Sequence, residues 1–233
     1  MKVCVFAIAE LQPGKKNVKD SRLDQADSFV KAKKRTYIQI DLVGEDKILE
    51  ADSVLILKEN RTDLILADLD FVETRLSRAT EDNEKNLLSK MKASLEKEEF
   101  LSTLTFTDAE KALMASYNIV THKPVVLAEK AELENENDLL SRAVKESGYT
   151  SFFTVGDKET RAWLIKKGTT AHEAAGAIHS DIQKGFIRAE IIGFDDYMKA
   201  GGEVPAKQAG KLHSEQKEYI MQDCDIVNFR FNK

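Results

Sequence analysis

The stretch FFTVGDKETRAWLIKKGTTAHEAAGAIHSDIQKGFIRAEII, residues 152–192, decides the fold of the C-terminal third of this chain. It contains two short runs that are rich in aromatic and β-branched residues, Phe152 to Val155 and Arg161 to Lys167. The turn residues Gly156 and Asp157 lie between these runs. Two such runs on either side of a turn predict a β-hairpin.

The second half of the same stretch predicts a helix and a strand. Thr170 is followed three residues later by Glu173, which forms a capping box, and the alanines after Thr170 fall on one helix face. Phe186 to Ile192 and Ile226 to Phe231 alternate apolar with polar residues, as strands with one buried face do. Two strands, a helix and further strands in this order describe a β-grasp module.

These residues closely resemble the C-terminal TGS domain of the Obg-like ATPase (YchF) family. The stretch 152–192 carries the resemblance together with the closing phrase MQDCDIVNFRFN, residues 221–232. The family's typical Gly in that phrase is Cys224 here, a change that a turn tolerates if the φ angle is negative. The resemblance implies a ubiquitin-like fold for residues 149–233.

Length and composition limit the remaining possibilities. A chain of 233 residues has room for one or two domains with a sizeable core, and 42% hydrophobic with 32% charged residues is ordinary for a soluble protein. No apolar run approaches eighteen residues, so we predict no membrane span and a cytoplasmic location. Cys4 and Cys224 show no metal or redox spacing and are predicted to be buried free thiols.

The net charge of -5 is distributed unevenly along the chain. Residues 1–35 carry nine Lys/Arg against four Asp/Glu, residues 36–148 carry fourteen against twenty-four, and residues 149–233 carry twelve against twelve. The acidic middle argues against non-specific nucleic-acid binding by the whole protein. A basic patch on one part of the surface remains compatible with this charge distribution.

An imperfect phosphate-loop pattern follows the first strand. Lys2 to Ile8 is apolar and β-branched, as buried parallel strands are, and Gly14-Lys15 stands at the offset of a G-x-x-x-x-G-K-[ST] loop. Ala9 replaces the first Gly, and Lys16 replaces the hydroxyl that would hold Mg²⁺. A turn with solvated lysines is the favoured interpretation, and a phosphate site is the alternative.

The segment DSRLDQADSFVKAKKRTYIQIDLVG, residues 20–44, follows a further pattern of the same family. Its periodicity predicts a helix capped by Asp20 and then a strand from Thr36 to Val43. The resemblance implies that Asp41 and Gly44 match the family's DxxG motif, which lies beside the γ-phosphate and Mg²⁺. The family's long glycine-rich switch segment is replaced by the short stretch Glu45 to Glu50.

The middle of the chain predicts an antiparallel helical hairpin over residues 59–103. Apolar residues recur there at spacings of three and four, at Ile65, Leu69, Val72 and Leu76 and again at Leu88, Met91 and Leu95. TDLILADLDFVETRLSRA, residues 62–79, resembles the start of the family's coiled-coil arm. Packing within the chain is favoured over a partner site for this seam.

Residues 104–148 predict two helices and a last sheet strand. Thr107 opens a capping box, and SYNIVTHKPVVLA, residues 116–128, resembles the family segment that contains its final strand. The family then carries a base-selecting N-x-x-E, where this chain has Glu129 to Glu132. A carboxylate in place of the Asn amide removes a hydrogen-bond donor for a purine base.

The predicted fold class is therefore α/β plus β-grasp. Residues 1–58 and 104–148 form a reduced P-loop-like α/β domain, residues 59–103 form the inserted helical hairpin, and residues 149–233 form the ubiquitin-like TGS domain. The histidines show no metal-ligand spacing, and no Ser or Cys stands in a nucleophile elbow. We predict no catalytic residue and no metal site.

We expect a noncatalytic binding protein whose TGS domain contacts RNA, the ribosome or another protein, because each nucleotide-site motif is incomplete. No cofactor is expected on this hypothesis, and the oligomeric state stays open. The alternative is ATP or GTP binding with weak hydrolysis, using Gly14, Lys15, Asp41 and Gly44. The candidate partner-binding residues, for which a solvated surface is the competing interpretation, are Arg161, Lys166, Lys167, Lys184 and Arg188.

Overall fold

The computed structural model describes residues Met1–Asn232, which form two β-sheets and their surrounding helices. Within this range the strands are β1 (Lys2–Phe6), β2 (Gly14–Val18), β3 (Arg35–Thr36), β4 (Ile38–Val43), β5 (Ser53–Leu57), β6 (Val125–Ala128), β7 (Tyr149–Thr154), β8 (Thr160–Lys166), β9 (Phe186–Ile192), β10 (His213–Glu215) and β11 (Ile226–Phe231).

The α-helices in the same range are α1 (Ser21–Asp27), α2 (Arg61–Leu76), α3 (Asp82–Leu95), α4 (Asp108–Met114), α5 (Glu136–Glu146), α6 (Ala171–Ile178), α7 (Ser180–Lys184), α8 (Phe194–Ala200) and α9 (Glu203–Gln208). None of the helices in Met1–Asn232 has the length and apolar character needed to cross a bilayer. The caps at Asp20, Thr107 and Thr170 form as their sequence patterns predict.

Contacts divide the chain into two compact units. The N-terminal unit consists of Met1–Lys16 and Ile40–Leu139, and the C-terminal unit consists of Asn17–Gln39 and Leu140–Lys233. Helix α1 and most of α5 therefore group with the C-terminal sheet. The predicted domain boundaries after residues 58, 103 and 148 fall inside these units and not between them. The division into three domains therefore stays a prediction.

The sheet that contains β1 is mainly parallel. Its strand order is β2-β4-β1-β5-β6, and β1 pairs in parallel with both β4 and β5, as β5 does with β6. Strand β5 is buried along its whole length, and its residues after Ser53 are all apolar, as in strands that are covered on both faces. This arrangement confirms the α/β part of the predicted fold class.

Helices α2 and α3 form the predicted hairpin, and their leucine seam packs inside the N-terminal unit. The seam continues into the residues around α4, so the apolar faces of these helices bury one another. The buried members of this cluster are Ile65, Val72, Leu87, Leu88, Met91, Leu95, Leu101, Met114 and Ile119. The seam is thus internal packing.

The C-terminal sheet has the order β10-β9-β11-β7-β8-β3, and both of its faces are covered. Strands β7 and β8 form the predicted antiparallel hairpin. Phe152 packs on the side of α6 and α7, whereas Phe153 packs on the side of α1, α8 and α9. Side chains alternate across a strand, so consecutive residues serve two cores. The β-grasp assignment of this unit stays a prediction.

Cys224 corrects one expectation of the sequence analysis. Its φ angle is +61°, in the left-handed region, and not negative as a tolerated Gly replacement would require. That conformation costs a residue with a Cβ about 1 kcal/mol. The Cys224 N–H donates to the Ser151 carbonyl at 2.8 Å and the side chain is buried, so tertiary contacts override the local preference. Both cysteines are buried free thiols, as predicted.

Candidate functional sites

The Gly-Lys pair lies in a strand and not in a loop that leads into a helix. Gly14 is the first residue of β2, the outermost strand of its sheet, and Lys15 is exposed. Lys16 forms an ion pair with Glu136 at 2.8 Å. A phosphate loop surrounds one anion with successive N–H groups, whereas an extended strand directs them alternately to either side. The local backbone is therefore not shaped as a phosphate cradle.

The four candidate nucleotide residues lie on two neighbouring elements. Strand β4 carries Asp41 and ends one residue before Gly44. The Gln39 Nε2 donates to the Asn17 Oδ1 at 3.3 Å, and a Cβ placed on Gly44 would lie 4.0 Å from the Cγ of Pro13. These contacts imply that β2 and β4 run antiparallel. The Gly-Lys pair of β2 thus lies beside β4. ATP or GTP binding by these four residues requires the two strands to be neighbours.

The register places Asp41 away from the carboxyl end of β1. Asp41 is aligned with Lys2, the first residue of β1, and the last residue of β1 is four positions further along. That separation corresponds to about 13 Å. Ligands of open α/β sheets bind at the carboxyl ends of strands. The carboxylate found at that end is Glu45, whose Oε1 accepts the Ala7 N–H at 3.0 Å.

The described residues do not fit a bound Mg²⁺ at the position that the phosphate-loop pattern assigns to it. Lys16 replaces the hydroxyl and its ammonium is paired with Glu136. Within Met1–Asn232 no group of three or more His, Cys, Asp or Glu side chains is arranged to hold a metal ion. The position therefore lacks the oxygen ligand that Mg²⁺ needs.

Three of the candidate partner residues lie on or next to β8. The guanidinium carbon of Arg161 lies 3.9 Å from the centroid of the Trp163 ring, a cation–π contact. Lys166 ends the strand and is exposed. The Lys167 ammonium donates to the Lys145 carbonyl at 2.9 Å. Arg161 is thus held on an aromatic face, while the two lysines lie at the strand end.

Arg188 belongs to a three-residue charged cluster on β9 and β11. The Glu190 carboxylate accepts from Arg188 Nη2 at 3.0 Å and from Arg230 Nη2 at 2.7 Å. The two arginines are aligned opposite each other, and their side chains are 45% and 47% exposed, whereas Glu190 is 8% exposed. Arg230 and Arg188 lower the pKa of Glu190 to about 2.

The sheet does not gather the five candidate partner residues into one patch. Arg161 and Trp163 lie on the same face of β8, opposite to Ala162. This face packs against α6 and α7. Arg188 lies next to Ala189, which faces that core, so it points to the other face. Strands β8 and β9 are three places apart, roughly 14 Å. Lys184 is exposed at the end of α7.

Sequence reasoning did not identify Glu190 or Arg230 as site residues. Arg188 and Glu190 are two apart on an alternating strand, which already places their side chains on one face. Arg230 stands in the closing phrase that served only to recognise the fold. The pairing of β9 with β11 brings the second arginine to the first, and no local pattern encodes that pairing.

Comparisons with known proteins agree with this architecture. A family model described as "YchF-GTPase_C: Protein of unknown function (DUF933)" matches residues 149–232. The solved "Structure of the Schizosaccharomyces pombe YchF GTPase" superposes with a TM-score of 0.73, covering 95% of this chain and 89% of that chain. Its sequence identity of 18% makes this a similarity of fold.

Curated relatives carry the sequence relationship. The chain is 32% identical over 235 residues to the "Ribosome-binding ATPase YchF" of Bacillus subtilis (strain 168), covering 73% of this chain and 64% of that protein. It is 44% identical over 104 residues to "Obg-like ATPase 1" of Danio rerio, covering 42% of this chain and 26% of that protein. The chain belongs to the YchF family of Obg-like ATPases. It spans 64% of the length of the Bacillus relative.

Proposed function

We propose that this protein binds the ribosome by contacting RNA through its C-terminal unit, which we assign to the TGS class. The observation that carries the proposal is the pair of half-exposed arginines, Arg188 and Arg230, held by Glu190. The names of the bacterial relatives describe ribosome-binding proteins and support the same partner. Ribosome binding would place the protein in the cytoplasm, as the sequence analysis expects.

The arginine pair has the chemistry of a phosphate contact. Each guanidinium offers five N–H donors in a planar fork and directs one nitrogen to Glu190, so the remaining edges can bind a phosphate in a bidentate manner. Two positive charges against one negative charge leave the cluster cationic. Like charges on directly opposite residues destabilise a sheet. A bound phosphate would relieve the repulsion between the two guanidinium groups that Glu190 does not offset.

Glu190 also prepares the arginines for binding. A long side chain that is held in place before association loses less rotamer entropy when the ligand arrives. Both carboxylate oxygens of Glu190 are engaged, one by each arginine. The cluster therefore presents a fixed pair of cations on one face of the sheet, which is a positioning contact to an RNA backbone and carries no base specificity.

We further infer that this contact requires no nucleotide hydrolysis. Phosphoryl transfer depends on positioned cations and a positioned water. Lys16 stands where a metal ligand is needed, Gly14 and Lys15 extend along a strand, and a short stretch replaces the glycine-rich switch. These features support the noncatalytic hypothesis.

A ribosome-binding titration at several salt concentrations tests the arginine pair. The double variant Arg188→Gln/Arg230→Gln should bind ribosomes at least about tenfold more weakly, and the slope of log affinity against log salt should fall by about two. Arg78→Gln, an exposed arginine in the helical hairpin, is the matched control and should bind as the wild type does. An unchanged affinity and slope in the double variant would refute the arginine contact.

The second candidate function is ATP or GTP binding with weak hydrolysis in the N-terminal unit. The names of the relatives describe ATPases and support this candidate at least as well as the first. The residues that would serve it, Gly14, Lys15, Asp41 and Gly44, lie on or beside the adjacent strands β2 and β4. On this proposal Lys15 neutralises phosphate charge.

A thermal-shift titration with ATP and GTP, with and without Mg²⁺, decides between the candidates. Nucleotide binding should raise the melting temperature of the wild type, and Lys15→Ala should reduce both this shift and any hydrolysis. Lys19→Ala, also near β2, serves as the charge-matched control. A melting temperature that stays constant up to millimolar nucleotide would eliminate the second candidate.

A further inference from the structure

The segment that follows β4 is held firmly at its C-terminal end. Residues Glu45–Glu50 form a short 3₁₀ segment, here called the 45–50 segment. The Lys123 ammonium donates to the carbonyls of Ile48 at 2.9 Å, Leu49 at 2.6 Å and Ala51 at 2.8 Å. Burial lowers the pKa of Lys123, in keeping with an ammonium that has exchanged water for carbonyl oxygens. The segment is therefore pinned to the N-terminal unit.

The other end of the 45–50 segment reaches the end of β1 through a carboxylate. The Glu45 Oε1 accepts the backbone N–H of Ala7, the first residue after β1, at 3.0 Å. Ala7 adopts a φ angle of +52°, which turns the backbone out of the strand direction. N–H groups in such turns form concave sites for anions. Here the anion is a side chain of the same chain.

The strand order makes this position the place where an external ligand would be expected. Strand β1 lies at the centre of the sheet between β4 and β5, to which it pairs in parallel. Open α/β sheets bind ligands outside the carboxyl ends of their strands, where the connections diverge to either side. Ala7 is at that end, and both Ala7 and Glu45 are exposed, so a dissolved anion could reach the N–H once the carboxylate left.

We propose that Glu45 is an internal anion that masks a phosphoryl-binding position at the carboxyl end of β1. The carboxylate accepts the Ala7 N–H in place of a phosphoryl oxygen. Because it is tethered in the same unit, it competes at a high effective concentration, and its charge repels an approaching anion. The inference concerns the N-terminal unit alone and is independent of the proposed RNA contact.

Replacing the carboxylate by its amide should expose the position. Glu45→Gln keeps the size of the side chain and removes its charge, which weakens its hold on the Ala7 N–H and ends the repulsion. We expect pyrophosphate to bind this variant at least about fivefold more tightly than it binds the wild type. One charge-assisted hydrogen bond accounts for an increase in affinity of this size. Asp46→Asn removes the same charge one residue further on and should change the affinity by less than about twofold.

Nuclear magnetic resonance of the ¹⁵N-labelled 233-residue chain, titrated with inorganic pyrophosphate without metal, provides the test. The Ala7 amide resonance should shift in a saturable manner in Glu45→Gln, with half-saturation at a pyrophosphate concentration about fivefold or more below that of the wild type and of Asp46→Asn. Equal half-saturation concentrations in wild type and Glu45→Gln would overturn the proposal, and so would the absence of a saturable Ala7 shift in Glu45→Gln. If ATP stabilises the wild type while Ala7 stays unshifted in every variant, the nucleotide candidate stands and this inference fails.

Discussion

The N-terminal and C-terminal units use their charged groups in opposite ways. In the N-terminal unit Glu45 accepts a backbone N–H, Lys16 pairs with Glu136, and Lys123 donates to three carbonyls. In the C-terminal unit a buried carboxylate holds two arginines whose other donors stay exposed. The ability of a charged residue to bind a ligand depends on the charge and the hydrogen-bonding groups that its contacts within the chain leave unused. The number of lysines in a sequence does not show how many of these groups are left.

The two units also differ in how closely their backbones approach. The N-terminal sheet is built mainly from short parallel strands with buried apolar side chains. The C-terminal sheet brings backbone against backbone at Gly185 and holds Cys224 in a left-handed conformation. We therefore expect the C-terminal unit to be the less tolerant of small backbone changes.

The largest expected effect comes from Gly185→Ala, which should break the C-terminal unit. A Cβ on Gly185 would lie 2.0 Å from the carbonyl oxygen of Asn232, whose N–H donates to the Gly185 carbonyl at 2.8 Å. Because the obstacle is backbone, the end of β11 must move, and we expect the unfolding free energy to fall by about 3 kcal/mol. Urea denaturation measures the loss.

Gly176→Ala is the matched control for that substitution. The three atoms nearest to its Cβ would all belong to the Gln183 side-chain amide, the closest at 2.7 Å, and this flexible group can rotate away. Gly176 lies inside α6, where Ala is favoured over Gly by up to about 1 kcal/mol. The control should be neutral or stabilising, and similar losses for both variants would contradict the close-approach argument.

Asp68→Ala tests whether buried charge in the N-terminal unit is structural. The Asp68 carboxylate is 2% exposed and accepts the N–H groups of Val120, at 3.0 Å, and Thr121, at 2.7 Å. Removing it leaves two buried donors unpaired, so we expect a loss of about 2 kcal/mol in urea denaturation. Asp70→Ala, an exposed position on the same helix, should stay within about 0.5 kcal/mol, and a similar loss there would remove the distinction.

Glu190 should make the C-terminal unit sensitive to acid. Its pKa is lowered from 4.5 to about 2, so its contribution to stability is fully present above pH 4.5 and is lost as the pH falls towards 2. The half-exposed arginines reduce the expected contribution to about 1–2 kcal/mol. Unfolding free energies between pH 6 and pH 2.5 measure it.

Glu190→Gln should flatten that pH dependence, because the amide does not titrate in this range. Glu218→Gln, at an exposed position, should keep the acid sensitivity of the wild type. If the wild type lost no more stability between pH 6 and pH 2.5 than Glu190→Gln does, the arginine pair would not be held by Glu190 as proposed.

The smallest expected effect sharpens the contrast in backbone strain. Both Cys224→Gly and Cys224→Ala remove the buried thiol, but only Gly relieves the left-handed conformation at φ +61°. We therefore expect Cys224→Gly to be more stable than Cys224→Ala by about 1 kcal/mol, the reverse of the usual order. Thermal denaturation of the pair gives the difference, and an Ala variant at least as stable as the Gly variant would show that no strain is stored there.

The sequence by itself determined the local elements. The helix caps at Thr107 and Thr170, the β7–β8 hairpin, the helices α2 and α3 and the strand β1 follow from patterns that each span fewer than twenty residues. Such patterns suffice because capping, turn conformation and the burial of one face are short-range effects. The resemblance to the YchF family rested on the same stretches.

The tertiary structure alone decided which of those elements meet. Strand register placed Asp41 beside Lys2 and Glu45 at the end of β1, and the pairing of β9 with β11 brought Arg230 to Arg188. It also imposed the left-handed conformation of Cys224. These outcomes depend on contacts between residues far apart in the chain, where the free energy of burying whole sheets outweighs the preference of any single residue.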